Sequence, residues 1–334
     1  MTNRKIYQKQ KKTYKKINNQ KQMSNLPWIE KYRPKNIDDI IDSSYKTHTL
    51  KNLIKNDELP HLLLYGMPGC GKTTMAIAIA RLLYGENFKS YVLELNASDD
   101  RGIEIVRNVI PEYAKTKSDK IKFIILDEAD AMTTEAQGAL RRVIEIYSKN
   151  CRFCIICNNI HSILPGIQSR CTLMRFNALN NENMSERLEE IALKENILIE
   201  KEGIDAIIES SKDFRQMLNV FQCLSSLYAK QKITREIVYE FTGHVPEKTI
   251  INLIDFLKKS SLEEGFEYLQ TNIKQNLWNI TTLIMSMTPL IINDPSIPIT
   301  QKKHIIDVFS KIENRLTSGK NNDIHIAMIA AAFK

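Results

Sequence analysis

The 334-residue chain has no apolar run approaching the ~18 residues that a membrane-crossing helix requires, which excludes channels and carriers built from such helices. Its first 25 residues lack the apolar core of a secretory signal. Cysteine is sparse. Six residues at irregular spacing, with no export signal, do not make a disulfide framework and are expected to be reduced thiols of an intracellular protein. Acid is missing from residues 1–21, which carry Arg4, Lys5, Lys9, Lys11, Lys12, Lys15, Lys16 and Lys21. Those bases account for the whole net charge of +8, because the rest of the chain sets 39 bases against 39 acids. Residues 1–24 therefore read as a disordered, solvated basic arm, suited also to a nuclear address or a loose nucleic-acid tether. The body is neutral overall, so any nucleic-acid contact there must come from local patches.

What is present is ordinary globular material, 43% apolar and 26% charged, long enough for two or three domains. From about Asn25 to residue 178, strands and helices alternate. "HLLLYG" (61–66), "SYVLELN" (90–96), "KFIILDEAD" (122–130) and "RFCIICNN" (152–159) are apolar throughout, as parallel strands covered on both faces should be. Helices between such strands predict a three-layer α/β domain. After residue 179 the strands stop. Phe214, Met217, Leu218, Phe221 and Leu224 fall at helical spacing, "TGHVPEK" (242–248) is a turn-rich break and "NDPSIPIT" (293–300) a loop. The expected division is a basic tail (1–24), an α/β domain (25–178), a small helical domain (179–243) and a second helical domain (244–334).

"GMPGCGKT" fits G-x-x-x-x-G-K-[ST] without mismatch, after an apolar strand and at the start of a helix. Gly66, Met67, Pro68, Gly69, Cys70, Gly71, Lys72, Thr73 and Thr74 would cradle ATP, with backbone N–H groups and the helix N-terminus facing phosphate oxygens. Lys72 would reach the β- and γ-phosphates, and the Thr73 hydroxyl would bind Mg²⁺. "FIILDEAD" supplies the acids such a loop needs. Asp127 would orient Mg²⁺ and Glu128 would act as general base on the attacking water. Cys151, Cys154 and Cys157 have the spacing of a metal run, but alternate residues of a strand face opposite ways, so the three cannot converge on one ion. They are expected to be small buried apolar residues.

The segments "PWIEKYRP", "GMPGCGKT", "ELNASDDRG", "IILDEADAMT", "GALRRVIE", "SRC" and "FRQMLN", taken in order, resemble the small subunits of eukaryotic replication factor C, the AAA+ sliding-clamp loader. The resemblance runs from about Leu26 to the C-terminus. It implies an AAA+ P-loop NTPase domain, a helical lid and a C-terminal helical collar that assembles a heteropentamer. It implies ATP and Mg²⁺ as ligands, and as partners the other replication factor C subunits, the PCNA sliding clamp and primer-template DNA, in the nucleus. Matched residue by residue, Asn158 takes the place of the polar sensor near the γ-phosphate and Arg215 that of the lid arginine that contacts phosphates. Ile29, Arg33 and Ile41 match residues at the adenine end. Arg170 in "SRC" matches an arginine finger presented to the neighbouring subunit's nucleotide. Arg101 and Arg107, on a helix capped by Ser98 or Asp99, match positions that face DNA phosphates; Arg141 and Arg142 could meet DNA or a neighbour. Rival readings are another AAA+ motor, such as a branch-migration helicase or an initiator, and a scaffold that binds nucleotide without turning it over.

Overall fold

A computed structural model describes residues 26–40, 44–56, 58–97, 102–211, 213–229, 231–276, 278–316 and 322–334. The basic tail, Ile41, Ser98, Asp99 and Arg101 lie outside the described residues. The chain forms two compact units. One runs to Ile191 and takes in Ser211–Asn219; the other holds Ala192–Ser210 and Val220–Lys334.

The first unit is built on five strands: β1 (Leu62–Gly66), β2 (Val92–Asn96), β3 (Lys122–Asp127), β4 (Cys151–Cys157) and β5 (Thr172–Phe176). They lie in the order β2-β3-β4-β1-β5, and every pairing is parallel. A parallel neighbour can be reached only by a crossover, which is why helices intervene. Period-2 alternation sorts the strand residues between two cores. Leu63, Ile124, Leu126, Phe153 and Ile155 pack on one face; Leu62, Leu64, Phe123, Ile125 and Ile156 pack on the other. Cys151 and Cys157 join the first face and Cys154 the second, as the alternation predicts. Burial pushes the Cys157 thiol up to about 12 and raises Cys154 further, so both stay neutral.

Continuous apolarity was expected to mean burial on both faces. β3 and β4 obey, but β2 and β5 are largely half-exposed or exposed. These two are the edge strands, each with one neighbour, so half of their surroundings is not sheet.

Two helices position the site. α1 (Lys72–Tyr84) follows the phosphate loop and buries Met75, Ala76, Ala78, Ile79 and Ala80. α2 (Thr134–Tyr147) starts where the Thr133 hydroxyl accepts the Ala136 N–H at 3.3 Å. It buries Ala136, Gln137, Leu140, Val143 and Ile144, a stripe of i, i+1, i+4, i+7, i+8 that fits one helical face. A third helix, α3 (Phe214–Leu227), begins within this unit.

The second unit is helical, with helices at Lys201–Ser210, Arg235–Thr242, Glu247–Lys259, Leu262–Asn276, Ile280–Asn293, Ile299–Leu316 and Asn322–Ala332. The turn read at 242–248 is real: the helix ends at Thr242 and Gly243 is left-handed at φ 66°. Leu253, Leu257, Leu269, Leu283, Met287, Phe309 and Ile329 form the centre of its core.

Candidate functional site

The loop after β1 runs Gly66 to Gly71 and hands over to α1. At two of its glycines the neighbours come closer than a side chain allows. A Cβ on Gly66 would stand 2.1 Å from the Phe176 carbonyl oxygen, and one on Gly69 would stand 2.1 Å from Asp213 Oδ1. Both glycines also have positive φ, so the loop path is closed to other residues. Lys72, at the first position of α1, is 6% exposed. Its ammonium donates to the carbonyls of Gly66 (2.9 Å) and Met67 (2.8 Å) and to Asn158 Oδ1 (2.9 Å). A buried cation without such acceptors would be costly. Cys70 is buried beside it, with its thiol donating to the Met67 carbonyl at 2.8 Å.

The acids stand one strand away from β4. The Thr73 hydroxyl donates to Asp127 Oδ2 at 2.7 Å, while Asp127 Oδ1 accepts the Glu128 N–H at 2.9 Å. Glu128 is exposed and left-handed, φ 55°, ψ 38°. Such a conformation costs a non-glycine residue about 1–3 kcal/mol and collects at functional turns. β3, β4 and β1 are adjacent, so the residues that follow their C-terminal ends meet: Asp127, Asn158 and the loop. That edge of a parallel sheet is where such folds bind ligands.

A cavity of ≈ 240 Å³ opens beside the loop, within the first unit. Ile29, Arg33, Gly69, Cys70, Gly71, Thr73, Thr74, Asp127 and Arg215 line it, all singled out in the sequence. Gly66, Met67, Pro68, Lys72, Glu128 and Asn158 do not line it, but Lys72 joins Gly66, Met67 and Asn158 by its hydrogen bonds. Several liners were not assigned to the site from the sequence: Tyr32, Pro34, Ile40, Leu179, Arg187, Phe214 and Leu218. Ile40, the neighbour of the expected Ile41, is buried there. Arg187 donates to the Tyr32 carbonyl at 3.2 Å and pairs with Glu190. Asp213 accepts the Arg215 N–H at 2.8 Å and so starts α3 against Gly69.

Arg170 lies elsewhere, past the short helix Pro165–Gln168. It donates to the Gly166 carbonyl at 2.6 Å and makes an ion pair with Glu145 on α2. Gln137 on the same helix ties down the approach to it, donating to the carbonyls of Met132 (3.3 Å) and Ser162 (2.9 Å) and accepting the Leu164 N–H (2.8 Å). Arg141 and Arg142 are exposed on α2, and Arg107 is exposed in a π-helical stretch, Ile105–Val109.

Residues 62–179 match the model of the ATPase family associated with various cellular activities (AAA), and residues 245–332 match the replication factor C C-terminal domain. A mouse protein named replication factor C subunit 5 is 42% identical over 93% of this chain and 92% of its own. Its namesake in Dictyostelium discoideum, a probable subunit 5, is 41% identical over 94% and 92%. Replication factor C subunit 3 of Blastobotrys adeninivorans is 38% identical over 94% of each. The chain belongs to the replication factor C small-subunit family. Among solved structures, a Thermotoga maritima RuvB variant superposes with a TM-score of 0.54 over 76% of this chain and 90% of that one, at 14% identity. At that identity the likeness is one of fold alone. The α/β AAA+ unit and the all-helical C-terminal part are thus those of the family.

Proposed function

We propose that this chain is an ATP-hydrolysing subunit of the heteropentameric replication factor C clamp loader. The observation that carries the reading is the convergence of Lys72, Thr73, Asp127 and Asn158 at the C-terminal ends of adjacent parallel strands, beside a cavity with an apolar flank. Adenine fits the flank of Ile29, Ile40, Phe214 and Leu218, next to Arg33. The phosphates would follow the backbone N–H groups of the loop to the start of α1, with Lys72 on the β- and γ-oxygens. Arg215, which lines the same cavity, would close on them from the lid.

A hydroxyl and a carboxylate oxygen already within 2.7 Å of each other, Thr73 Oγ1 and Asp127 Oδ2, are a hard-oxygen donor set that suits Mg²⁺. When bound there it would neutralise charge on the β- and γ-phosphate oxygens. Glu128 takes a proton from water as that oxygen bonds to the γ-phosphorus. The bond to the β–γ bridging oxygen breaks and ADP leaves. Asn158 holds the water or the γ-phosphate in line. Arg170 completes the neighbouring subunit's site, where it stabilises charge on that γ-phosphate.

ATP binding would let the ring open the PCNA clamp and grip primer-template DNA, and hydrolysis would release the closed clamp. Arg101 and Arg107 would contact DNA phosphates, so binding should be independent of sequence and sensitive to salt. The divisions 25–178, 179–243 and 244–334 as ATPase domain, lid and collar, and a nuclear location, are part of the same reading.

The test is Glu128→Gln in the assembled complex. Removing a general base typically costs about 10²–10⁴ in rate. The share of ATP turnover owed to this subunit should disappear while its nucleotide binding persists. An unchanged rate would favour a scaffold that only binds nucleotide.

A further inference from the structure

Asp130 has no part in the scheme above, yet it joins two halves of the site. It lies on the short 3₁₀ turn Ala129–Ala131, two residues after Glu128. One of its oxygens, Oδ2, accepts two successive backbone N–H groups, those of Asn158 at 3.1 Å and Asn159 at 3.2 Å. The partners stand 28 positions apart in the chain, with all of α2 and β4 between them. Charge-assisted bonds of this kind are stronger than neutral ones. Two amides on one oxygen fix the backbone in direction as well as position.

What this fixes is specific. β4 ends at Cys157, so Asn158 is the first residue beyond the sheet ladder. Its Oδ1 must stay where Lys72 donates to it at 2.9 Å. Asn159 uses its own side chain to accept the His161 N–H at 3.0 Å, which starts the next turn. Asp130 is thus the tie between the turn that presents Glu128 and the residue that faces Lys72. The structure assigns Asp130 as a positioning residue for hydrolysis, acting through Asn158; this rests on the hydrolytic reading above.

Asn158 and Asn159 are exposed, so water can satisfy their amides once the carboxylate is gone. Loss of the tie should cost alignment more than folding. A displacement of about 1 Å in a positioned group can cost ~10²-fold in rate.

The experiment uses the assembled complex, with four variants of this subunit: Asp130→Ala, Asp130→Asn, Asn158→Ala and the double Asp130→Ala/Asn158→Ala. Rates and KM for ATP are measured, together with binding of a non-hydrolysable ATP analogue. Asp130→Ala should lower kcat of the Glu128-dependent turnover roughly 10–100-fold, with KM and analogue affinity within about twofold. Asp130→Asn keeps an acceptor oxygen and should recover most of the rate. The double variant should be no slower than Asn158→Ala alone, since both remove one device. An Asp130→Ala rate equal to wild type, a double variant slower by the product of the single effects, or loss of analogue binding in step with kcat would each overturn the assignment. If Glu128→Gln also leaves turnover untouched, the hydrolytic reading itself is wrong; if Glu128→Gln abolishes it and Asp130→Ala does not, only the positioning role fails.

Discussion

Two lysines of the α/β unit are buried almost equally, Lys72 at 6% exposure and Lys122 at 4%, and neither has a carboxylate partner among the described residues. Both are satisfied by carbonyl and side-chain oxygens. Lys72 uses Gly66, Met67 and Asn158; Lys122 donates to the carbonyls of Tyr113 and Thr116, both at 2.5 Å, and to the Thr116 hydroxyl. Their positions differ. Lys122 opens β3 at the N-terminal edge of the sheet, with its ammonium 4.7 Å from the Tyr113 ring centre. Its donors are spent on the C-terminal end of one short helix, Ile110–Lys115, which it staples to the strand. Lys72 sits at the opposite edge, where strand ends, a helix N-terminus and an open cavity coincide. The same chemistry faces a helix end at one edge and stands beside an open cavity at the other, where the proposed function puts a phosphate. Burial and hydrogen bonding alone do not tell a functional lysine from a staple; place in the fold does.

A third cation gives the largest test of that contrast. Arg170 is partly exposed and held by Glu145, so its charge is available to something outside the chain's own cavity. An exposed pair of this kind is worth at most about 1 kcal/mol and is easily exchanged for a phosphate. Arg170→Ala in the assembled complex should slow hydrolysis at the neighbouring site by about 10³-fold or more while this chain's own ATP affinity stays within twofold. Equal loss of binding at its own loop would place the arginine in the wrong pocket. Next comes Lys72→Met. Losing charge-assisted bonds worth about 1.5–3 kcal/mol should weaken this chain's ATP binding roughly 10–150-fold, and the three acceptors it leaves without a donor should lower stability as well. Lys122→Met should show the loss of stability alone. Three acceptors left without a donor should cost about 1–3 kcal/mol of stability, seen in thermal melts, with ATP affinity unchanged. If the two variants gave the same phenotype, the contrast between the edges would fail.

How much of this was legible beforehand follows the range of each interaction. The phosphate loop and the acid pair were readable because their chemistry is local: Lys72 lies within six residues of Gly66, Thr73 stands in the first turn of the helix that follows, and Asp127 sits where β3 ends. The cysteine run was readable because strand alternation is a one-residue rule, and the three thiols divide between the two faces accordingly. Asp130, Gln137 and Glu145 were not readable as parts of a site. Their partners lie 25 or more residues away and are brought together only by the strand order, in which β4 separates β3 from β1. The apolar flank was half-readable. Ile29 and Arg33 came from a motif, but the linker after them has no periodicity to single out Ile40, which lines the cavity. The half-exposure of β2 and β5 needed the sheet order as well, since an apolar run says nothing of whether its strand is an edge.

The smallest predicted effect belongs to the stapled edge and depends on pH. His61 precedes β1, and its Nδ1 accepts the Phe153 N–H at 3.2 Å, next to Arg152. Burial first, then the Arg152 charge, lowers its pKa from 6.5 to about 4. Folded, the ring stays neutral; unfolded, it takes up a proton below pH 6.5. Between those values the unfolded state binds more protons, so the contribution is complete above pH 6.5 and is lost as pH falls towards 4. His61→Asn offers Oδ1 where Nδ1 stood and cannot titrate. Between pH 7 and pH 5 the wild-type melting temperature should fall by roughly 2–4 °C more than that of His61→Asn, with equal ATP affinity in both at neutral pH. Parallel melting curves would show that the histidine is solvated in the fold. A fall in ATP affinity would join this edge to the site at the other end of the sheet, and the division between a structural edge and a chemical one would no longer hold.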